Sequence, residues 1–402
     1  MRGARLRTGA AWVLALAAIG YLVWAANNRM MIDLGIYRMG GQAILHGENL
    51  YALHGSDRLA FTYPPLAAIL AVPLALAPFA ADKLCWTVMV YVPLLVAVLA
   101  GFRPLLARLS GSARVALPLL LAGCAYLQPA WQEIGFGQID LFLVGLCLLD
   151  CLATRPKWPR GLLIGLATAI KLEPGVFIIY LLITRRRREA GVAALSFGAF
   201  SALAWLVNPR DSITYWTSAV FSPGRLGGNA STANQALRGM VLRLHLAAGS
   251  QPLWLALALV TGVAGFLAAR ACWQHGQELA GIAITGLLSA LLSPVAWIHH
   301  LCWVIVAIGV IAGDGRRRRR IVAAVLAGLF YLTVTPVWAA RAPHLQPFIR
   351  GVLQDSFGLA ALALIPVIWW LSVCQAPDDD LARRPDSERP SAMAGALSGA
   401  PS

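Results

Sequence analysis

Long apolar runs follow one another along this chain, separated by short polar segments in which arginine and lysine cluster. Residues 9–26, 84–101, 115–130, 139–153, 190–207, 252–271, 277–296, 301–312, 321–337 and 354–374 are each apolar enough to be read as a membrane-spanning helix. The basic clusters fall at alternate ends: Arg2, Arg5 and Arg7; Arg103, Arg108 and Arg114; Arg155, Lys157 and Arg160; Arg185 to Arg188; Arg316 to Arg320. Cytoplasmic loops carry this excess, so both termini are expected inside. The pattern predicts an all-α polytopic membrane protein, a helical bundle of about 10–12 spans, with residues 27–65 and 208–251 as outer loops.

Three runs depart from the simple pattern. The N-terminal one, behind its basic head, reads as a signal peptide or as an uncleaved first span. Bulky Tyr21 and Trp24 and the lack of a small-x-small cleavage site favour the span. Residues 66–80 are short and hold Pro73 and Pro78, which suits a broken or re-entrant segment. Between residues 161 and 184, two half-length apolar runs flank Lys171-Leu172-Glu173-Pro174 and basic residues stand at both ends. Such an element either dips in and returns or is a kinked span, and Lys171 and Glu173 are expected to neutralise each other. From residue 376 to 402 the chain turns polar and Pro-rich, as a disordered cytoplasmic tail does.

Composition changes the picture in one respect. The chain has 402 residues, 59% hydrophobic and 13% charged, with a formal net charge of +15. That charge sits between apolar runs and follows topology, so it does not mark a nucleic-acid surface. The seven cysteines lie in or beside apolar segments without CxxC or other metal-type spacing, and read as small core residues.

The candidate chemistry lies in the outer segments. Asp33 stands where a helix N-cap would, with Ile36, Met39, Ala43 and Ile44 on one face of a short helix along the membrane surface. Gly47 ends that helix, and Tyr51 and Tyr63-Pro64-Pro65 follow. Asp33 reads equally as a cap or as an active-site carboxylate. Gly137-Gln138-Ile139-Asp140 opens the next outward-facing helix mouth; Gln138 and Asp140 suit sugar hydroxyls, although Asp140 also fits a capping role. The long loop carries Asn234-Gln235 and three arginines, Arg225, Arg238 and Arg243, with Arg341 and Arg350 in a later loop. Amides suit sugar hydroxyls, and guanidinium groups suit a phosphate diester. Ser293-Pro294-Val295-Ala296-Trp297-Ile298-His299-His300 ends an apolar run. On an α-helix, adjacent residues point about 100° apart, so only one histidine is expected to face a small site and the two are poorly placed as a metal pair.

The order Asp33, Tyr37, Gly47, Tyr51, Tyr63-Pro64-Pro65, the Gly-Gln-x-Asp element at 137–140, Asn234-Gln235 with its downstream Arg243, and the Ser-Pro-x-x-Trp-x-His-His run ending at His300 resemble glycosyltransferase family 87, a branch of the polyprenyl-phosphate-dependent GT-C enzymes. The resemblance implies a GT-C transmembrane domain over residues 1–375. It implies a polyprenyl-phosphate sugar donor, most often mannose and in relatives arabinose, a glycolipid or lipoglycan acceptor, and an active site on the outer face of the cytoplasmic membrane. It places Asp33 in the active site with His299 or His300 at the reaction centre, and Tyr37, Tyr63, Gln138, Asp140, Asn234, Gln235, Arg225, Arg243 and Arg341 as substrate contacts. A phosphate leaving group needs no second carboxylate acid, so one base, Asp33, suffices for an inverting transfer. No cofactor is required by these residues; a metal ion is neither required nor excluded. A transporter or lipid flippase is the rival class. It explains the charged break at Lys171 to Pro174, but not the gathering of polar motifs at one face.

Overall fold

The computed structural model describes residues 2–55, 59–246 and 249–375. The tail expected over 376–402 lies outside them. Among the described residues there is no β-sheet, only two isolated bridges, His54 with Ala60 and Asn234 with Trp297. The framework is helical: α1 Arg2–Asn27, α2 Ile32–His46, α3 Phe79–Gly101, α4 Arg103–Tyr126, α5 Gln128–Phe136, α6 Asp140–Leu152, α7 Leu162–Ile170, α8 Glu173–Ile183, α9 Arg187–Val207, α10 Ser250–Gln274, α11 Glu278–Leu292, α12 Ile298–Ala312, α13 Arg318–Leu332 and α14 Ser356–Cys374.

Six of these, α1, α3, α4, α9, α10 and α14, are long and apolar enough to cross a membrane; α5 and α6, bent by 116° at Gly137 to Ile139, make a seventh if taken as one span. This is fewer than the hydropathy pattern predicts. The runs at 277–296 and 301–312 do form helices, but polar breaks shorten α8, α11 and α12 to between 10 and 17 residues. Residues 66–80 fold as two short helices, Pro65–Leu70 and Val72–Leu76, each too short to cross.

Helices α11 and α12 form the centre and are almost wholly buried. Their Gly, Ala and Ser residues let neighbouring backbones approach closely. Gly309 on α12 packs against the backbone of Gly101 on α3, where any side chain would collide. Around this centre, α1, α9 and α10 turn leucines outward: Leu14, Leu195, Leu206 and Leu259 are each more than half exposed, as a lipid-facing girdle requires.

The bundle has two distinct ends. At one, Arg108 donates to the Asp314 carbonyl, while Arg160 and Arg186 both reach Glu189 and Arg186 also pairs with Glu278. The chain therefore enters α7 and leaves α8 at the same basic end, so the element holding Lys171 dips in and returns. At the other end, the loops after α1, α5, α9 and α11 converge: Tyr37 meets Gln138, Arg225 meets Tyr51, and Asn234 meets Ala296.

Candidate active site

Helix α2 begins one residue before Asp33. Its N-cap is Met31, in the left-handed region at φ 45°, with its side chain buried against the core. Asp33 is thus not the N-cap expected from sequence; burial of Met31 sets the helix start, and the Asp33 carboxylate bonds no helix end. It faces a cavity of about 570 Å³, within the range of about 300–1,000 Å³ usual for small-ligand sites. Burial pushes the Asp33 carboxyl up to about 6, although a hydrogen bond from Gln138 and the charge of Lys171 favour its ionised form. The rest of α2 follows expectation. Ile36 and Ala43 are buried, Met39 and Ile44 pack on the core, and Gly47 closes the helix at φ 67°. Arg38 pins the helix in place through Asp82 and the carbonyls of Leu74 and Ala77.

Gln138 follows Gly137, whose φ of 72° and close contact with Leu34 and Met31 exclude a side chain there. The Gln138 carbonyl oxygen of the side chain accepts from Tyr37 at 2.8 Å and Tyr63 at 3.2 Å, and Trp86 donates to its backbone. Tyr63 and Gln138 line the cavity, and Tyr37 holds both from behind. Asp140 does not cap α6. That role belongs to buried Glu133, which accepts from the Leu141 N–H at 2.8 Å. Sequence reading missed Glu133; its signal was a carboxylate eight residues ahead of an uncapped helix start.

Asp140 is thereby released to pair with Lys171 at 2.7 Å. Lys171 also meets His300 Nε2 at 3.1 Å and Glu173 at 3.5 Å, and Glu173 lies 3.0 Å from His300 Nδ1. Lys171 and Glu173 do neutralise each other in part, yet both line the cavity, which sequence reading did not assign to them. Asp140 sits behind them in a smaller hollow with Ser289 and Trp303.

Both histidines line the cavity, against the expectation that only one would. The chain is extended through Trp297 (φ −68°, ψ 165°) and enters α12 through a tight 3-10 turn, so the α-helical angle between neighbours does not apply. The rings stand 4.7 Å apart and edge to face. Nor are they poorly placed for a metal: Asp140, His299 and His300 each offer a ligand atom within 4.8 Å of the others. Among the described residues neither ring nitrogen of His299 has a hydrogen-bond partner, whereas His300 is held between Glu173 and Lys171.

Among the described arginines only Arg225 lines the cavity. Its guanidinium donates to the Tyr51 carbonyl at 2.6 Å, and no carboxylate pairs with it among the described residues. Arg243 instead pairs with Asp355 and donates to the carbonyls of Ser231 and Asn234. Arg341 is exposed and does not border the cavity. Asn234 and Gln235 are fully buried and fully employed: Asn234 accepts from the backbone of Ala236 and Ala296, while Gln235 donates to Thr232 and Gln354 and accepts from Gly358. They tie the loop between α9 and α10 to α14 and to the approach to His299, and neither borders the cavity.

This constellation joins the Asp33 carboxylate, the His299 imidazole and the Arg225 guanidinium, the last without a carboxylate partner among the described residues, around one space, a set suited to attack on a phosphate-linked centre. The family model for glycosyltransferase family 87 matches residues 61–294. The chain is 35% identical over 350 residues to the polyprenol-phosphate-mannose-dependent alpha-(1-2)-phosphatidylinositol mannoside mannosyltransferase of Mycobacterium tuberculosis, covering 81% of each chain. The Mycolicibacterium smegmatis protein of the same description is 34% identical, with 84% of each chain covered. A polyprenol-phosphate-mannose-dependent alpha-(1-2)-phosphatidylinositol pentamannoside mannosyltransferase of M. smegmatis is 33% identical over 92% of this chain and 85% of its own. No solved structure matches. Identity of this extent leaves the transporter reading without support: the chain is a membrane glycosyltransferase and belongs to family 87.

Proposed function

We propose that the chain moves a mannosyl group from a polyprenyl-phosphate donor to a mannosylated phosphatidylinositol, at the outer face of the cytoplasmic membrane and with inversion. The observation that carries this reading is the cavity itself, where Asp33, His299 and Arg225 face one space and, among the described residues, no other arginine does. The acceptor hydroxyl oxygen attacks the anomeric carbon and gives its proton to the Asp33 carboxylate. The bond from that carbon to the phosphate oxygen breaks, and its electron pair leaves with the polyprenyl phosphate. Negative charge grows on the phosphate as it departs, where the Arg225 guanidinium stabilises it. His299, its nitrogens unoccupied, orients the hydroxyl or shares its proton. In-line displacement on a β-linked donor yields an α-linkage, the linkage in the relatives' names. Gln138, held by two tyrosines, offers its amide to Asp33 or to a sugar hydroxyl.

The basic clusters at the opposite end from the cavity support an outer-face site, because those clusters stay cytoplasmic. The donor is then reached from the membrane, and apolar Ile36, Val220 and Val337 at the cavity wall suit a prenyl chain. The test is transfer by purified protein in liposomes supplied with polyprenyl-phosphate mannose and phosphatidylinositol mannosides. Polyprenyl-phosphate arabinose serves as the competing donor. Transfer of arabinose and not mannose would reassign the sugar; no transfer from either by folded protein sinks the reading.

A further inference from the structure

Asp140, His299 and His300 have the composition and closeness of a divalent-metal site. Their ligand atoms lie within 4.8 Å of one another, and among the described residues buried Asp140 Oδ2 and both nitrogens of His299 have no hydrogen-bond partner. Two further oxygens stand nearby on Glu173. Yet one nitrogen already bridges this set. Lys171 Nζ lies 2.7 Å from Asp140 Oδ1 and 3.1 Å from His300 Nε2, and 3.5 Å from Glu173.

The backbone enforces that placement. Lys171 ends α7 in an extended conformation, φ −152° and ψ 130°, and Glu173-Pro174 turns the chain into α8. The side chain is about nine-tenths buried, with the ring of Tyr63 5.8 Å from its nitrogen. An ammonium so enclosed cannot swing away to admit a second cation.

We infer that Lys171 is a built-in cation occupying the place of a divalent metal. It is a positioning residue: it compensates Asp140 and Glu173, keeps His300 Nε2 as an acceptor, and leaves His299 free. The cluster then needs no metal, because adding one beside a fixed ammonium would set two cations against each other in a poorly solvated site. Removing the ammonium should convert the same ligands into a metal site. This concerns the cluster alone, so it stands or falls separately from the identity of the sugar.

The experiment titrates Co²⁺ into the full-length detergent-purified protein and follows visible absorption, calorimetry and Tm. Wild type is expected to bind no stoichiometric Co²⁺ and to keep its transfer rate in EDTA. Lys171→Ala is expected to bind one Co²⁺ at least about a hundredfold more tightly than wild type, with a Tm that rises as Co²⁺ is added. Adding His299→Ala to it should abolish that binding. Lys171→Met, which fills the same space without charge, should bind none. Stoichiometric metal in wild type, or EDTA-sensitive transfer restored by metal, overturns the inference, as does a folded Lys171→Ala protein that ignores Co²⁺. If Lys171→Ala does not fold even with Co²⁺, the inference fails, since the metal has not replaced the ammonium.

Discussion

Replacing Asp33 by Asn should make the protein more stable and less active at once. The carboxyl is raised from 3.8 to about 6 chiefly by burial, so the folded state disfavours its ionised form. At 1.36 kcal/mol for each tenfold change, that amounts to at most about 3 kcal/mol of destabilisation at neutral pH. The sign follows from the direction. Well below pH 3.8 the group is protonated whether folded or unfolded, and contributes nothing; as pH rises from 3.8 to about 6 the unfolded chain ionises it while the folded protein does not, stability is lost across that window, and the full penalty persists above it. Asn carries no such charge, so Tm of Asp33→Asn should exceed wild type above pH 6 and converge with it near pH 4. Transfer should move oppositely. Wild-type kcat should rise with pH through about 6 as the base ionises, and the variant should lose about 10²–10⁴-fold and that pH limb together. Tm by scanning fluorimetry in detergent and transfer in liposomes, each across pH 4 to 8, give both readouts. A variant with normal transfer refutes the base. A variant less stable than wild type at pH 7 refutes the claim that burial strains this carboxylate.

The two histidines should separate: His299→Ala should lower kcat by at least about 10²-fold with Tm held, while His300→Ala, by stripping Glu173 and Lys171 of a partner, should lower Tm as well. Equal, negligible losses would leave both rings without a role. Arg225→Ala should lower kcat/KM about tenfold or more with Tm little changed, since among the described residues its charge serves only the Tyr51 carbonyl; Arg243→Ala should instead cost about 3–5 kcal/mol of stability by leaving Asp355 unpaired. An impermeant thiol reagent applied to intact cells should label Asn28→Cys, which is exposed beyond α1 at the cavity end; labelling only after the membrane is opened would place the site on the inner face.

The membrane class, the order of helices and most cavity residues were legible in sequence because each leaves a one-dimensional trace. Apolar length gives a span, arginine clusters gather at one end of the bundle, and Asp33, Gln138 and His299 stand out by polarity beside apolar runs. What sequence could not give was partnership. Asn234, Gln235 and Arg243 look like ligand contacts by type, but each is consumed by backbone groups or by Asp355 more than 50 residues away in the chain. Lys171 looked like half of a local pair with Glu173, because its closer partners, Asp140 and His300, lie 31 and 129 positions away. Arg225 differs from Arg238 and Arg243 in reaching the cavity wall, where it donates to the Tyr51 carbonyl 174 positions away, a placement that no local pattern records.

The shortfall in full-length spans and the location of the site have one cause. Four polar cavity groups stand where a helix breaks: Asp33 just after Met31 at φ 45°, Gln138 just after Gly137 at φ 72°, Lys171 in extended backbone after α7, and His299 just after Trp297 in extended backbone. A continuous apolar helix cannot present such groups, since its side chains face lipid or core and its backbone is closed on itself. Breaking α5 from α6, α7 from α8 and α11 from α12 opens a polar space at one end of the bundle, and the freed backbone groups are tolerated because they border that space or are bonded by Glu133 and Asn234. The helices that remain long, α1, α9 and α10 among them, are those whose leucines face outward. Long spans thus carry the bundle, and the broken helices line the cavity.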